Sequence, residues 1–311
     1  MWENRIGYVW APLVLSAVII IIGFMTMFMV HQFDSQNITT SDALRLFANE
    51  VSAEDKQHYI GASLLGLQVL FSMVLFFITL FYLLGALYDD RKDRSILFWK
   101  SLPISDSMTV LSKLASGSLL LPAVFIVAVM ITQICVLLFA TGYSIVAGVD
   151  PWSNFWVPAQ LISSWGIYIL GSLVQTLWLM PLWGWLLFCS SFAPRLPLLF
   201  AIGTPLLVGW IHKYIMFVQS FDYKSPTVLY YIAERVTSAV LPLSVRATIG
   251  NETVIIGMGD TDGDEADAFN HSLTLGYLGE RMIEPSMWYG LIIGAVFVAG
   301  AIYFRRRASD Q

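Results

Sequence analysis

The residues of this chain equipped for chemistry are few, and they stand apart from its apolar stretches. Four histidines, His31, His58, His212 and His271, lie outside the apolar runs or at their edges. A histidine with an acid partner suits general acid–base work. The acidic run DTDGDEAD at 260–267 places carboxylates at alternate positions, a pattern that can ligate calcium. An EF-hand loop needs Gly in its sixth place and Glu in its twelfth. Counted from Asp260, however, Gly263 is fourth and His271 twelfth, so the run reads as a solvated acidic loop. The densest charge is Asp89-Asp90-Arg91-Lys92-Asp93-Arg94, followed by Phe98, Trp99, Lys100 and the break Leu102-Pro103. Taken alone, mixed charge beside large aromatics is either a solvated loop whose aromatics lie on the headgroups or a docking element for another protein.

Several reaction classes have no residues to carry them. No G-x-x-x-x-G-K-[ST] stretch occurs, so the chain has no phosphate-cradling loop of its own; no H-E-x-x-H or G-x-S-x-G occurs either. Cys135 and Cys189 sit in apolar surroundings without a CxxC pattern and read as small buried hydrophobes. The apolar runs have no Asp, Glu, Lys or Arg in their middles. That removes most support for an intramembrane protease or a proton-coupled transporter. Softly polar residues remain there: Gln68, Ser72, Thr132, Gln133, Gln175 and Thr176. Such groups usually hydrogen-bond between helices. The competing reading is that Gln68, Gln133 and Gln175 line a substrate path.

The elements that must position these residues follow from composition. The chain has 311 residues, 57% hydrophobic and only 13% charged, with net charge −5; its mean hydropathy is +0.69. That charged share is about half of what a water-soluble domain carries. Lipid as the main solvent explains it. No basic stripe with interleaved aromatics is present, so nothing points to nucleic acid. Runs long enough to cross a bilayer lie near 9–30, 61–86, 114–140, 161–188, 196–216 and 286–304. The expected fold is an all-α polytopic membrane protein: one six-helix transmembrane domain over residues 1–311. The first run is too long for a signal-peptide core and reads as a retained span. Pro122, Pro181 and Pro205 mark expected kinks. Short segments holding Arg5, Arg91, Lys92, Arg94, Lys100, Lys113, Arg195 and Arg305-Arg306-Arg307 fall on one side, which the positive-inside rule makes cytoplasmic, with both termini.

On the other side, residues 31–58 are expected to form a polar loop, and residues 141–160 carry Trp152 and Trp156 at headgroup level. The long insertion 217–285 precedes the sixth span. Within it Val228, Leu229, Ile232, Val236, Ala239 and Val240 recur at helical spacing, opposite Glu234, Arg235 and Ser238. That amphipathic helix either rests in the outer leaflet or packs on its own extracytoplasmic domain. RATIGNETVII suggests a hairpin around Gly250-Asn251.

The charged block then falls in the loop 88–106, between the second and third spans. Tyr88 to Trp99 is expected to continue as an exposed helix supported by pairs such as Asp90 with Arg94. Pro103 would end it, and Ser105 would cap a helix leading through Asp106 and Lys113 into the third span. Here the chain resembles the type-2 ABC permeases, membrane subunits of ATP-driven exporters with a type V fold. The resemblance rests on Asp90-Arg91, Ser95, Ile96-Leu97-Phe98-Trp99, Leu102-Pro103 and Leu111-Ser112-Lys113-Leu114, on the six-span layout, and on the large insertion before the last span. Trp2-Glu3-Asn4-Arg5 is similar to the end of that family's short connecting helix.

The resemblance implies a permease subunit of a bacterial inner-membrane exporter, which is not an enzyme by itself. It would pair with a second permease, in a homodimer rather than a heterodimer, and with two copies of an ABC ATP-binding subunit. ATP and magnesium would sit on that subunit, and this chain would bind no cofactor. The loop would be the coupling helix, with Asp89, Asp90, Arg91, Arg94, Phe98, Trp99 and Lys100 meeting the ATPase. Two rival readings are a non-transporting membrane sensor or assembly protein and a lipid-modifying membrane enzyme using His31, His58 or His271. The topology is open to a direct check. With Cys135 and Cys189 replaced by Ala, cysteines introduced as Ser95→Cys and Thr261→Cys should react with an impermeant thiol reagent from opposite faces. Labelling from one face refutes six spans.

Overall fold

In a computed structural model the chain is described at residues 6–32, 40–93, 103–219, 231–232, 235, 245–249, 252–256, 278–279 and 282–307. Among these residues the fold is helical apart from one hairpin. A π-helical turn at Ile6–Trp10 leads into α1 (Ala11–Gln32). Then follow α2 (Thr40–Glu50), α3 (Ala53–Ala86), α4 (Tyr88–Lys92) and α5 (Asp106–Ala115). After a π-helical turn at Ser116–Leu120 come α6 (Leu121–Ala147), a further such turn at Trp152–Trp156, and α7 (Val157–Ala159). The chain continues as α8 (Leu161–Trp178), α9 (Met180–Phe192), α10 (Pro197–Gln219) and α11 (Pro285–Arg307).

Six helical stretches are long and apolar enough to cross a membrane: Tyr8–Met25, Ala53–Lys92, Asp106–Ala147, Trp152–Trp178, Pro197–Ile215 and Pro285–Arg307. By length and composition this is a multi-pass membrane protein. The large apolar side chains of α1 and α10, Ile22, Phe24, Leu199 and Leu207 among them, lie exposed as lipid-facing residues would. The strands β1 (Val245–Ile249) and β2 (Glu252–Ile256) pair antiparallel, with Val245 opposite Ile256 and Ile249 opposite Glu252. Only positions 250–251 separate the paired ends, as expected for a two-residue hairpin. The acidic run 260–267, the connecting-helix residues 2–5 and most of the amphipathic stretch 228–240 lie outside the described residues.

The chain forms two compact units. The first spans residues 6–74 and 123–169. Its core gathers Ile60, Leu64, Leu137 and Ala159, with Phe47, Phe155 and Trp156 packed against them. The polar loop expected at 31–58 is partly helix. α2 is an amphipathic cap whose Phe47 stacks on Phe155 at 5.9 Å. The second span also begins earlier than its hydropathy indicates, at Ala53 rather than 61. Ser52 starts it: its hydroxyl accepts from the Asp55 amide (3.1 Å) and donates to the Asp55 carboxylate (2.7 Å). At about 1.5 Å per residue, α3 is ~51 Å long and extends well past a ~30 Å hydrocarbon core. Beyond α6, the exposed Asp150 carboxylate accepts from the amides of Trp152 and Ser153 (3.3 and 3.0 Å). The Ser153 bonds, with the Trp152 amide, hold its acidity stronger than an ordinary carboxyl's.

The second unit spans residues 75–122 and 170–307. The fourth span, expected as one kinked helix over 161–188, is two helices parted at Leu179. Pro181 lacks the amide that would continue the ladder, and it sits in the first turn of α9, where none is needed. α9 packs closely along α11. Gly184 and Gly294 bring the two backbones together: a Cβ on Gly184 would lie 2.7 Å from the Gly294 carbonyl oxygen, and one on Gly294 2.8 Å from that of Met180. Gly290 and Gly294 form a G-x-x-x-G pair, the spacing that lets membrane helices approach closely. Around this contact Leu83, Leu87, Val110, Leu187, Val298 and Ala301 build the core. Because both obstructions are backbone, Gly294→Leu should destabilise the unit by ~1–3 kcal/mol or more, read as a lower melting temperature in detergent. Gly61→Ala, whose Cβ meets nothing within 4 Å, should leave melting unchanged or raise it.

Candidate functional site: a shared carboxylate at the base of the charged loop

The charged block does not form one exposed helix. α3 stops at Ala86, and the chain restarts as the five-residue α4. A side chain from α9 sits at the interruption: the Ser190 hydroxyl accepts from the amides of Leu87 (2.9 Å) and Tyr88 (3.0 Å). The Lys113 ammonium donates to the Ala86 carbonyl on the other side of the break. Both halves of the interrupted ladder therefore find partners, as buried backbone groups must. Residues 94–99, the rest of the expected helix, lie outside the described residues, as do Lys100 and Leu102.

Asp90 is buried where an exposed pair with Arg94 was expected. Its Oδ2 takes Lys113 Nζ at 2.7 Å and Arg305 Nη1 at 3.0 Å. Arg305 Nε lies 3.3 Å from Asp106 Oδ1, close enough to pair in charge though not aligned as a hydrogen bond. The formal charges of Asp90, Asp106, Lys113 and Arg305 cancel. A shared carboxylate satisfies two cations that burial alone would disfavour. The local helices place these groups well. Asp106 stands in the first turn of α5 and Lys113 in its last, while Arg305 stands in the last turn of α11. Each matches the sign of its helix end. Ser105 caps α5 as expected, accepting from the Met108 amide at 3.2 Å.

Arg91 points into its own chain. Its Nη2 donates to the carbonyls of Ser190 (2.7 Å) and Ala193 (2.9 Å), at the C-terminal end of α9. It therefore satisfies carbonyls that a helix terminus leaves without amide partners. Asp89 is exposed and folds back over Gly85, where a Cβ would stand 2.6 Å from its Oδ2. Arg94, Phe98, Trp99 and Lys100 lie outside the described residues. The structure thus anchors both ends of the loop between Asp93 and Ser105. One end is held through Asp90 and Arg91, the other through Asp106 and Lys113.

The three glutamines fall in different places. Gln68 and Gln133 are buried in the first unit. Gln68 Nε2 donates to Ser164 Oγ (3.2 Å) and Gln133 Nε2 to the Leu64 carbonyl (2.9 Å). The Trp165 indole in turn donates to Gln133 Oε1 (2.7 Å), and Ser72 bonds Tyr168 (3.1 Å). These contacts knit α3, α6 and α8, the interhelical use that such residues commonly serve. Gln175 belongs to the second unit and is half-buried. Thr132 joins α6 to Ser16 of α1 at 2.9 Å, and Thr176 reaches the Ser118 carbonyl at 3.0 Å. Cys135 and Cys189 are free thiols. Among the described residues no His, Cys, Asp and Glu cluster could hold a metal.

Sequence reasoning missed Arg305 as a partner of Asp90. The available signal was the RRR triplet that ends the last span, which was read for orientation alone. Comparison with family models, curated proteins and solved structures finds no match to this chain.

Removing the shared carboxylate should be costly. Asp90→Asn leaves Lys113 and Arg305 without it, and breaking a buried pair costs about 3–5 kcal/mol. A marked drop in melting temperature is expected. Asp90→Asn combined with Lys113→Met should recover part of the loss, because one stranded cation is gone. Lys113→Met alone closes the cycle, and a double variant whose loss equals the sum of the two single losses would show that the two groups are not coupled.

Proposed function

We propose that this chain is the permease subunit of an ATP-driven exporter in a bacterial inner membrane. In this reading both termini and the charged loop are cytoplasmic, and a separate ATP-binding subunit supplies the motor. The observation that carries the reading is the anchorage of the loop. Asp90 ties α4, α5 and α11 together at the point where the loop leaves the helices, and Arg91 ties α4 to the end of α9. A load applied to such a loop reaches several membrane helices at once. Further support comes from the six apolar helices, from the absence of a phosphate loop in the sequence, and from the loop pattern that resembles the type-2 ABC permeases.

The roles divide accordingly. Asp90, Asp106, Lys113, Arg305 and Arg91 hold the lever's base. Arg94, Phe98, Trp99 and Lys100 meet the ATP-binding subunit, with the two aromatics as buried anchors. Closure of two nucleotide-loaded ATP-binding subunits pushes the paired loops, and the helix ends follow. Two copies of this chain enclose the substrate path. ATP and magnesium stay on the partner.

Tagged protein purified from native membranes should carry a second polypeptide with a phosphate loop and should hydrolyse ATP. Phe98→Ala with Trp99→Ala should strip that subunit and its ATPase activity, since buried aromatic anchors are each worth about 2 kcal/mol or more. The melting temperature of the permease itself should not change. A wild-type preparation with no associated ATPase, or a double variant that keeps it, overturns the reading.

A further inference from the structure

The break between α8 and α9 holds a second polar feature that the coupling loop does not use. Pro181 supplies no amide to the ladder, and the helix axis is interrupted at Leu179. At this break Arg235, from the long insertion, presents its guanidinium to the chain. Nη1 donates to the Trp178 carbonyl at 2.6 Å, and Nη2 donates to the Ser286 carbonyl at 2.5 Å, in the first turn of α11. The guanidinium carbon stands 4.4 Å from the centre of the Trp178 ring. Gly290 leaves the room: a Cβ there would lie 2.6 Å from both terminal nitrogens of Arg235. The hydroxyl of the same Ser286 is buried without a hydrogen-bond partner.

These are the parts of a cation receptor. Two backbone carbonyls match the forked donors of a planar guanidinium. An indole face attracts the same charge, and a spare hydroxyl offers a further acceptor. A glycine keeps the floor open. The Trp178 carbonyl ends α8 at the interrupted ladder, the setting in which broken membrane helices coordinate cations, and the Ser286 carbonyl, in the first turn of α11, is the second acceptor.

We infer that this carbonyl and indole cage is a binding site for a planar organic cation of the guanidinium or amidinium class, occupied here by Arg235 of the same chain. On the exporter reading, the site gives the substrate class: an amphipathic molecule with such a headgroup displaces Arg235 and takes its place. Trp178 lies fourteen residues before the end of α9 at Phe192, or ~21 Å along a helix. The cage is thus well removed from the coupling loop. Displacement of Arg235 would remove one tie between the insertion and the start of α11, while Leu278 stays packed with Met287.

The test empties the cage and refills it. Arg235→Ala should melt below wild type in detergent. Methylguanidinium should restore its melting temperature saturably, with half-effect on the order of millimolar. Methylammonium, which lacks the fork, should restore little, and wild type should not respond because its cage is filled. Adding Gly290→Ala to Arg235→Ala should abolish the rescue by filling the floor. If Arg235→Ala does not purify as a single species, the titration is made on Arg235→Gln. Failure of methylguanidinium to stabilise either variant, or equal stabilisation by methylammonium, overturns the site. Loss of the exporter reading would leave this titration intact, and failure of the titration would leave the loop-docking result intact.

Discussion

The arrangement at the base of the charged loop depends on one carboxylate. Asp90 is the shared counter-ion of Lys113 and Arg305, in a unit whose core is otherwise leucine, valine, alanine and aromatic rings. In such surroundings the alternatives to pairing are expensive. The pairing is specific in geometry, because α4, α5 and α11 must each present the right residue to one point. A slip of either long helix by a single residue would take its cation off the carboxylate. Buried ion pairs add little net stability compared with apolar packing of the same shape. The gain here is register: the loop leaves the helices at a defined place and with a defined backing.

The same economy governs the other cations. The chain has 17 Lys and Arg residues, and several close helix ends that are not their own. Lys56 donates to the Ala48 carbonyl near the end of α2, and Arg45 to the Ala147 carbonyl at the end of α6. Lys113 does this for α3, Arg235 for α8 and Arg91 for α9. The last carbonyls of a helix have no amide to meet and carry partial negative charge. Water meets this need in a soluble protein. In an apolar protein a long cationic side chain from elsewhere does so, and in doing so it joins two elements.

What was legible in the sequence follows the range of the forces involved. The six spans were readable because hydropathy is a property of a window. The Ser105 cap and the hairpin between Val245 and Ile256 were readable because their partners lie within a few residues. The start of α3 was missed although Ser52-x-x-Asp55 is a local signal, because Lys56 and His58 lower the hydropathy just where the helix begins. In sequence α2 reads as loop because its apolar residues are too few to outweigh its polar ones, and Phe47 gains its value only from Phe155. The fate of Asp90 was out of reach. Its partner Arg305 is 215 residues away, and charge in sequence reads as exposure until the fold brings the countercharge. The G-x-x-x-G spacing of Gly290 and Gly294 is a local pattern that the sequence reading does not use, and its partner Gly184 can be named only from the packing.

These contacts together hold α11 at three places along its length. At one end Arg305 holds it to Asp90 and Asp106. In its middle Gly294 rests against the backbones of Gly184 and Met180. At its start Ser286 and Gly290 receive Arg235. The glycine contact is intolerant of sliding along the axis, because a neighbouring residue of either helix would bring a Cβ into backbone. Arg91 meanwhile links the end of α9 to α4. α9 and α11 are thus one packed pair, tied to α4 through Arg91. The contacts of Arg235 are hydrogen bonds and a ring contact, and on the inference above another planar cation can take them over. The pair is held by ion pairs at the loop end, by backbone contact at its glycines, and by Arg235 and Leu278 where the insertion meets it.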